Sequence, residues 1–260
     1  MTVSLPLNSI ERGSGVPLVL LHAFPLSGAM WAADAEQFAS MARVIVPDLP
    51  GFGRSARQSE PSIAAMAHAV GGLLDALGIR QPVILAGLSM GGYVALECLR
   101  QFPHRVKALG LFATRAAADA PEQREGRLKL IERLTQDGLE ALMHSTLPKL
   151  VGRTTASRRP DVMAAVERSV RTADREGVID ALRAMATRRD STPVLLTIAC
   201  PTLVIAGAED ALIPMSESEA MARRIPGARL EIIPQTGHLV NLEGPEAFQA
   251  IVAVWLRQLG

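Results

Sequence analysis

Two cysteines, Cys98 and Cys200, are all that 260 residues contain, so no disulfide framework can hold this fold. Cys98 falls inside a helical pattern and Cys200 just before an apolar run, and both read as small core residues. Neither sign of charge dominates. With 27 Lys plus Arg against 26 Asp plus Glu and a net charge of +1, the chain lacks the field that would mark a nucleic-acid or anionic-membrane partner. The beginning, Met1-Thr2-Val3-Ser4-Leu5-Pro6-Leu7, has neither a basic region nor a long apolar one, and no run reaches the length needed to cross a bilayer. The expectation is a soluble cytoplasmic protein. The five histidines are scattered without ligand spacing, which predicts no metal site. Internal repeats and low-complexity tracts are missing as well.

What the chain does have is apolar content, 48% hydrophobic, enough for a large core. Short continuous apolar runs at Leu18-Leu21, Val44-Val46, Val83-Ala86, Ala108-Phe112 and Leu203-Ala206 suit strands buried on both faces. A more mixed run, Arg229-Ile233, suits a strand nearer an edge. Helical patterns lie between them: Ile63 to Leu77 closed by Gly78, Met90 to Phe102 closed by Pro103, Glu217 to Ile225, and Glu246 to Leu259. This alternation predicts an α/β fold with a parallel sheet covered by helices. From about Arg115 to Thr192 the alternation stops, and a charged, helix-prone stretch predicts an inserted cap. The boundaries follow: a core of 1–114 with 193–260, and a helical cap of 115–192. Leu128, Ile131, Leu134, Leu139, Leu142 and Met143 fall at helical spacing and are expected to rest over the strand ends. The pairs Arg158-Arg159 and Arg188-Arg189 are candidates for a substrate carboxylate.

The pentapeptide Gly87-Leu88-Ser89-Met90-Gly91 stands between an apolar run and a helical one. That context makes it a nucleophile elbow, a strained turn that exposes a serine above the sheet while glycines let strand and helix approach. A serine hydroxyl needs a base, and histidine titrates nearest neutrality. His238, in the short loop after Ile233, is the candidate; His68, His104 and His144 read as structural or exposed. A carboxylate must orient that base. Asp210, just past the run ending at Ala206, is the choice, with Glu209 its nearest competitor. The chain order is then Ser89, Asp210, His238. An oxyanion formed on attack needs prearranged donors. The backbone N–H groups of Met90, at a helix start, and Phe24, in the loop His22-Ala23-Phe24-Pro25, are the candidates. His22 reads as a loop organiser, and the side chains of Phe24 and Met90 are expected beside the acyl pocket.

His22-Ala23-Phe24-Pro25, Asp48-Leu49-Pro50-Gly51-Phe52-Gly53-Arg54-Ser55, Gly87-Leu88-Ser89-Met90-Gly91-Gly92, Gly207-Ala208-Glu209-Asp210 and Gly237-His238 together resemble the α/β-hydrolase superfamily. In detail the chain resembles its small carboxylesterases, 3-oxoadipate enol-lactonases and cofactor-free haloperoxidases or perhydrolases. The resemblance implies a mostly parallel eight-stranded sheet, a helical cap after the sixth strand, and Ser89, Asp210 and His238 as a triad without cofactor. Ala23 departs from the glycine many relatives carry, which leaves Phe24 less secure than Met90 as a donor. Asp48 reads as structural. The implied activity is hydrolysis of a small-molecule ester through an acyl-enzyme. The alternatives are lactone hydrolysis, perhydrolysis, or a non-hydrolytic receptor or lyase using the same pocket.

Overall fold

The computed structural model describes residues 7–259. Seven strands form one sheet: β1 (Ser9–Arg12), β2 (Pro17–Leu21), β3 (Arg43–Pro47), β4 (Val83–Leu88), β5 (Val106–Phe112), β6 (Thr202–Gly207) and β7 (Arg229–Ile233). Their order is β1-β3-β2-β4-β5-β6-β7. Every neighbouring pair is parallel except β1 with β3. Strands β2, β4 and β6 are buried at every residue, because both faces of a parallel sheet are covered by helices. At the edges β1 and β7 are mixed and partly exposed. The expected eighth strand is not among the described residues, and within these the helical insertion follows the fifth strand. β1 escaped notice in the sequence because Ser9-Ile10-Glu11-Arg12 has no apolar run; as an edge strand it needs none.

The helices that cover the sheet are α1 (Ala32–Phe38), α2 (Ile63–Ala76) and α3 (Met90–Gln101), then α10 (Met215–Arg224), α11 (Val240–Glu243) and α12 (Pro245–Leu259). α2 starts where Ser62 accepts the Ala65 N–H at 3.0 Å and ends before Gly78, whose φ of 66° a glycine adopts without strain. Trp31, Phe112 and Phe248 meet edge-on or tilted at 5.2 to 6.4 Å, and lock α12 onto the sheet.

Between β5 and β6 come α4 (Pro121–Asp137), α5 (Glu140–Ser145), α6 (Leu147–Leu150), α7 (Arg153–Arg158), α8 (Pro160–Arg171) and α9 (Arg175–Ala186). Leu134, Leu142 and Leu150 are fully buried, as the helical spacing predicted for the first two. Leu128 is not: it is 47% exposed. Beside the buried Leu134, the residues of α4 that line the cavity are Gln123, Gly126, Arg127, Leu130 and Arg133, whose spacing is equally helical. Cys98 is buried and Cys200 half-buried, both as free thiols.

Candidate active site

Ser89 sits at the joint of β4 and α3 with φ 55° and ψ −113°, a conformation that stores about 1–3 kcal/mol of backbone strain in a non-glycine residue. Close packing enforces it. A Cβ on Gly87 would lie 2.1 Å from Gly91 O, and one on Gly91 would lie 2.3 Å from Leu21 O, so strand and helix approach only because both positions are glycine. The Ser89 N–H donates to Phe112 O at 2.9 Å, and Thr114 Oγ1 donates to Ser89 O at 2.8 Å. The turn is thereby tied to the end of β5.

Asp210 leaves the carboxyl end of β6 and His238 the loop after β7. His238 Nδ1 lies 2.8 Å from Asp210 Oδ2, with both side chains nearly sealed from solvent. The other oxygen, Oδ1, accepts the N–H groups of Leu212 and Ile213 at 2.8 and 2.9 Å. A carboxylate so fixed accepts a hydrogen bond from Nδ1–H and leaves Nε2 as the acceptor. His238 and Ser89 line one cavity of about 390 Å³, together with Phe24, Tyr93, Leu130, Leu182, Met185 and Ile213. No hydrogen bond joins Ser89 to His238 among the described residues; in unliganded sites such contacts are commonly long and tighten on substrate.

Glu209, the competing acid, faces elsewhere. Its carboxylate accepts the Thr154 N–H at 2.8 Å and the Thr154 hydroxyl at 2.7 Å, and these bonds, with Arg153, hold its carboxyl below the ordinary range. The backbone amides of Phe24 and Met90 donate to no acceptor among the described residues, which leaves both free for an anion. Phe24 lies on the cavity wall, whereas the Met90 side chain is buried in the core and is not beside the pocket as expected. His22 organises its loop: Nδ1 donates to Ala23 O at 3.0 Å and Nε2 accepts the Leu49 N–H at 2.9 Å. Complete burial pushes its pKa down to about 4. Asp48 accepts from Gly28 N, Arg54 N and Asn8 Nδ2, a loop clasp. His68, His104 and His144 are exposed.

Two features escaped the sequence. Glu243 is buried and accepts three backbone N–H groups, from Gly152 at 2.7 Å, Gly237 at 2.9 Å and Leu239 at 2.9 Å. It grips the chain on both sides of His238 and ties the insertion to it. No motif marks it, since its partners are main chain. The second is a set of arginines. Arg158 and Arg159 lie against a different hollow, beside Pro234 and Gln235, and Arg188 and Arg189 against another that Ser62 and Glu97 also border. The flagged pairs thus do not line the Ser89 cavity, although Arg188 stands behind its wall, paired with Asp119 and 4.1 Å over the ring of Tyr93; the basic wall residues are Arg115, Arg127, Lys129, Arg133 and Lys149.

Comparison with known proteins places these features in a family. A thermophilic esterase from Thermogutta terrifontis, solved with malate bound, is 39% identical with a TM-score of 0.94, over 97% of this chain and 93% of that one. The enol-lactonase of Burkholderia xenovorans LB400 is 26% identical with a TM-score of 0.89, over 96% of each. The dihydrolipoyllysine-residue acetyltransferase component of the acetoin cleaving system of Pseudomonas putida is 31% identical over 94% of this chain, which spans 64% of that protein's length. Residues 16–245 match the alpha/beta hydrolase fold family, and the chain belongs to it.

Proposed function

We infer that the protein is a serine hydrolase of small carboxylic esters, with Ser89 as nucleophile, His238 as general base and acid, and Asp210 as the group that orients His238. The observation that carries this reading is the 2.8 Å contact between His238 Nδ1 and Asp210 Oδ2 on the cavity that also holds the strained Ser89. Ser89 Oγ attacks the ester carbonyl and passes its proton to His238 Nε2. The oxygen that becomes anionic is met by the N–H groups of Phe24 and Met90; one such donor is worth about 10²–10³ in rate. Collapse breaks the carbon–oxygen bond to the alcohol, which leaves with the proton from His238. Water then adds to the acyl carbon, gives a proton to His238, and the second collapse breaks the bond to Ser89 Oγ and returns that proton to it. No step calls for a cofactor.

The helical insertion, residues 115–192, acts in this reading as a cap: α4 and α9 supply Arg127, Leu130, Leu182 and Met185 to the cavity wall and exclude water from the acyl-enzyme. The partner is a small molecule. Two free thiols suit a reducing compartment, and we assign the protein to the cytoplasm; no helix among the described residues is long and apolar enough to cross a membrane. The test is burst kinetics with p-nitrophenyl acetate. Wild type is expected to release about one equivalent of p-nitrophenolate in a burst, and Ser89→Ala to fall by about 10⁴-fold or more. Turnover that survives Ser89→Ala would remove the acyl-enzyme, and tight ligand binding without turnover would instead make the pocket a receptor.

A further inference from the structure

The walls of the Ser89 cavity carry Arg115, Arg127, Lys129, Arg133 and Lys149 and no aspartate or glutamate, although the whole chain has a net charge of only +1. An excess of one sign on a concave wall concentrates ligands of the other. The excess is also structural. Arg115, Arg127 and Arg188 all pair with the single carboxylate of Asp119, at 2.8, 2.5 and 2.8 Å. Three cations share that one anion, with the Asp190 carboxylate near Arg188 as a further negative charge, which leaves a surplus of positive charge on side chains that are 6%, 19% and 3% exposed. Burial works to raise the Asp119 carboxyl, but the Arg127 hydrogen bond and the charges of Arg127, Arg188 and Arg115 outweigh it and hold the group below the usual carboxylate range. It is ionised already and has no more charge to give. Arg115 Nε is buried without an acceptor, while Arg133 and Lys149 make no ion pair among the described residues. By contrast Arg100 has Glu97 to itself at 2.7 Å, and the carboxylates of Asp75 and Asp180 each serve two arginines, not three.

Uncompensated buried cations are unfavourable unless an anion joins them, and a guanidinium fork matches a carboxylate in shape. We propose that the ester or lactone opened at Ser89 bears a second, free carboxylate, which Arg115 and Arg127 receive and which Arg133 and Lys149 draw in along the α4 and α6 side of the cavity. The proposal rests on the hydrolase reading and narrows its substrates to half-esters of dicarboxylic acids and lactones that carry a carboxylate.

The test compares the p-nitrophenyl half-ester of adipic acid with the same ester methylated at its free carboxyl, so that scissile bond and leaving group are shared. In wild type kcat/KM is expected to favour the half-ester by about tenfold or more, a preference that shrinks as sodium chloride rises to about 0.5 M. Arg133→Gln with Lys149→Gln changes two exposed side chains, so the fold is kept; the ratio should fall about tenfold, through KM. Arg127→Gln should lower it too. Arg124→Gln with Arg158→Gln removes the same charge away from the cavity and should leave the ratio at its wild-type value. A wild-type ratio of one or less, or a ratio unmoved by the cavity variants, overturns the carboxylate subsite. If the methylated ester is still cleaved with dependence on Ser89, the hydrolase reading stands without it; if neither ester is cleaved, both fall together.

Discussion

The strand-end loops and the helical insertion meet at one cavity but are held together by different means. In the loops the constraint is backbone against backbone: Gly87, Gly91 and Gly207 stand where a Cβ would lie 2.0 to 2.3 Å from a carbonyl oxygen. Apart from two glycine backbone contacts, Gly177 with Gly51 and Gly152 with Gly237, the insertion is held through side chains: Glu209 to Thr154, Glu243 to Gly152, Arg57 to Asp180 at 2.7 Å, and the arginines on Asp119. Close backbone packing admits almost no variation, whereas side-chain ties can be exchanged without moving the sheet. The loops are therefore suited to fixed chemistry and the insertion to adjustable specificity.

Asp210→Asn is the strongest way to break that comparison. The asparagine keeps the size of the side chain but favours the wrong tautomer of His238, so kcat should drop by about 10⁴-fold while the protein stays folded. Thermal unfolding measured beside kcat decides the matter: loss of activity together with loss of fold would mean that the loop owes its shape to the charge of Asp210.

Glu243 belongs to both regions. Glu243→Gln replaces one of two acceptor oxygens by a donor, and leaves at least one of the N–H groups of Gly152, Gly237 and Leu239 unpaired in a buried place. The expected loss is about 3 kcal/mol of stability, with a fall in kcat because the chain flanking His238 is freed. Wild-type melting and wild-type kcat in this variant would sever the proposed link between insertion and base.

How much of this was legible in the residues follows from the same division. The placement of Ser89, Asp210 and His238 in strand-end loops could be read because each follows a short apolar run, and the Gly87 and Gly91 spacing is a local demand of the turn. The sheet was legible wherever a strand is buried on both faces, and illegible at Ser9–Arg12, where one edge strand needs no apolar pattern. In the insertion helices could be read but not their rotation. Leu128 and Leu130 are two residues apart on α4, yet one faces solvent and the other the cavity. The Asp119 cluster joins residues 115, 119, 127 and 188, which only the packing of α4 and α9 brings together.

Acid should act on the loops first. His22 has a folded pKa of about 4 against 6.5 for the free side chain, so the unfolded chain binds the proton more readily. Its contribution is complete above pH 6.5 and is lost as pH falls from there toward 4, about 3 kcal/mol in all. Asp34, whose carboxyl burial raises to about 6 from 3.8, works in the opposite sense: its contribution is present at low pH and is lost as pH rises through 6. The two partly cancel between pH 4 and 6, so the informative quantity is the difference between wild type and His22→Gln. Urea unfolding should show that difference changing in the variant's favour as pH drops from 7 to 4. A difference independent of pH would mean that His22 is not a buried neutral imidazole.

The smallest effect comes from the residue beside Asp210. Glu209 precedes Asp210 in the chain, but its carboxylate serves Thr154 at the start of α7 and not His238. Glu209→Gln keeps one acceptor for that tie, so kcat should stay near wild type while KM rises a few-fold, about 2 to 5 times, as the insertion loosens over the cavity. Two adjacent carboxylates would then divide cleanly, one affecting only the chemical step and the other only binding. The measurement is kcat and KM for one ester in Glu209→Gln and Asp210→Asn side by side. A fall in kcat of the Asp210→Asn size in the Glu209 variant would make Glu209 the acid, and the separation of fixed chemistry from adjustable cover would fail at the point where the two regions touch most closely.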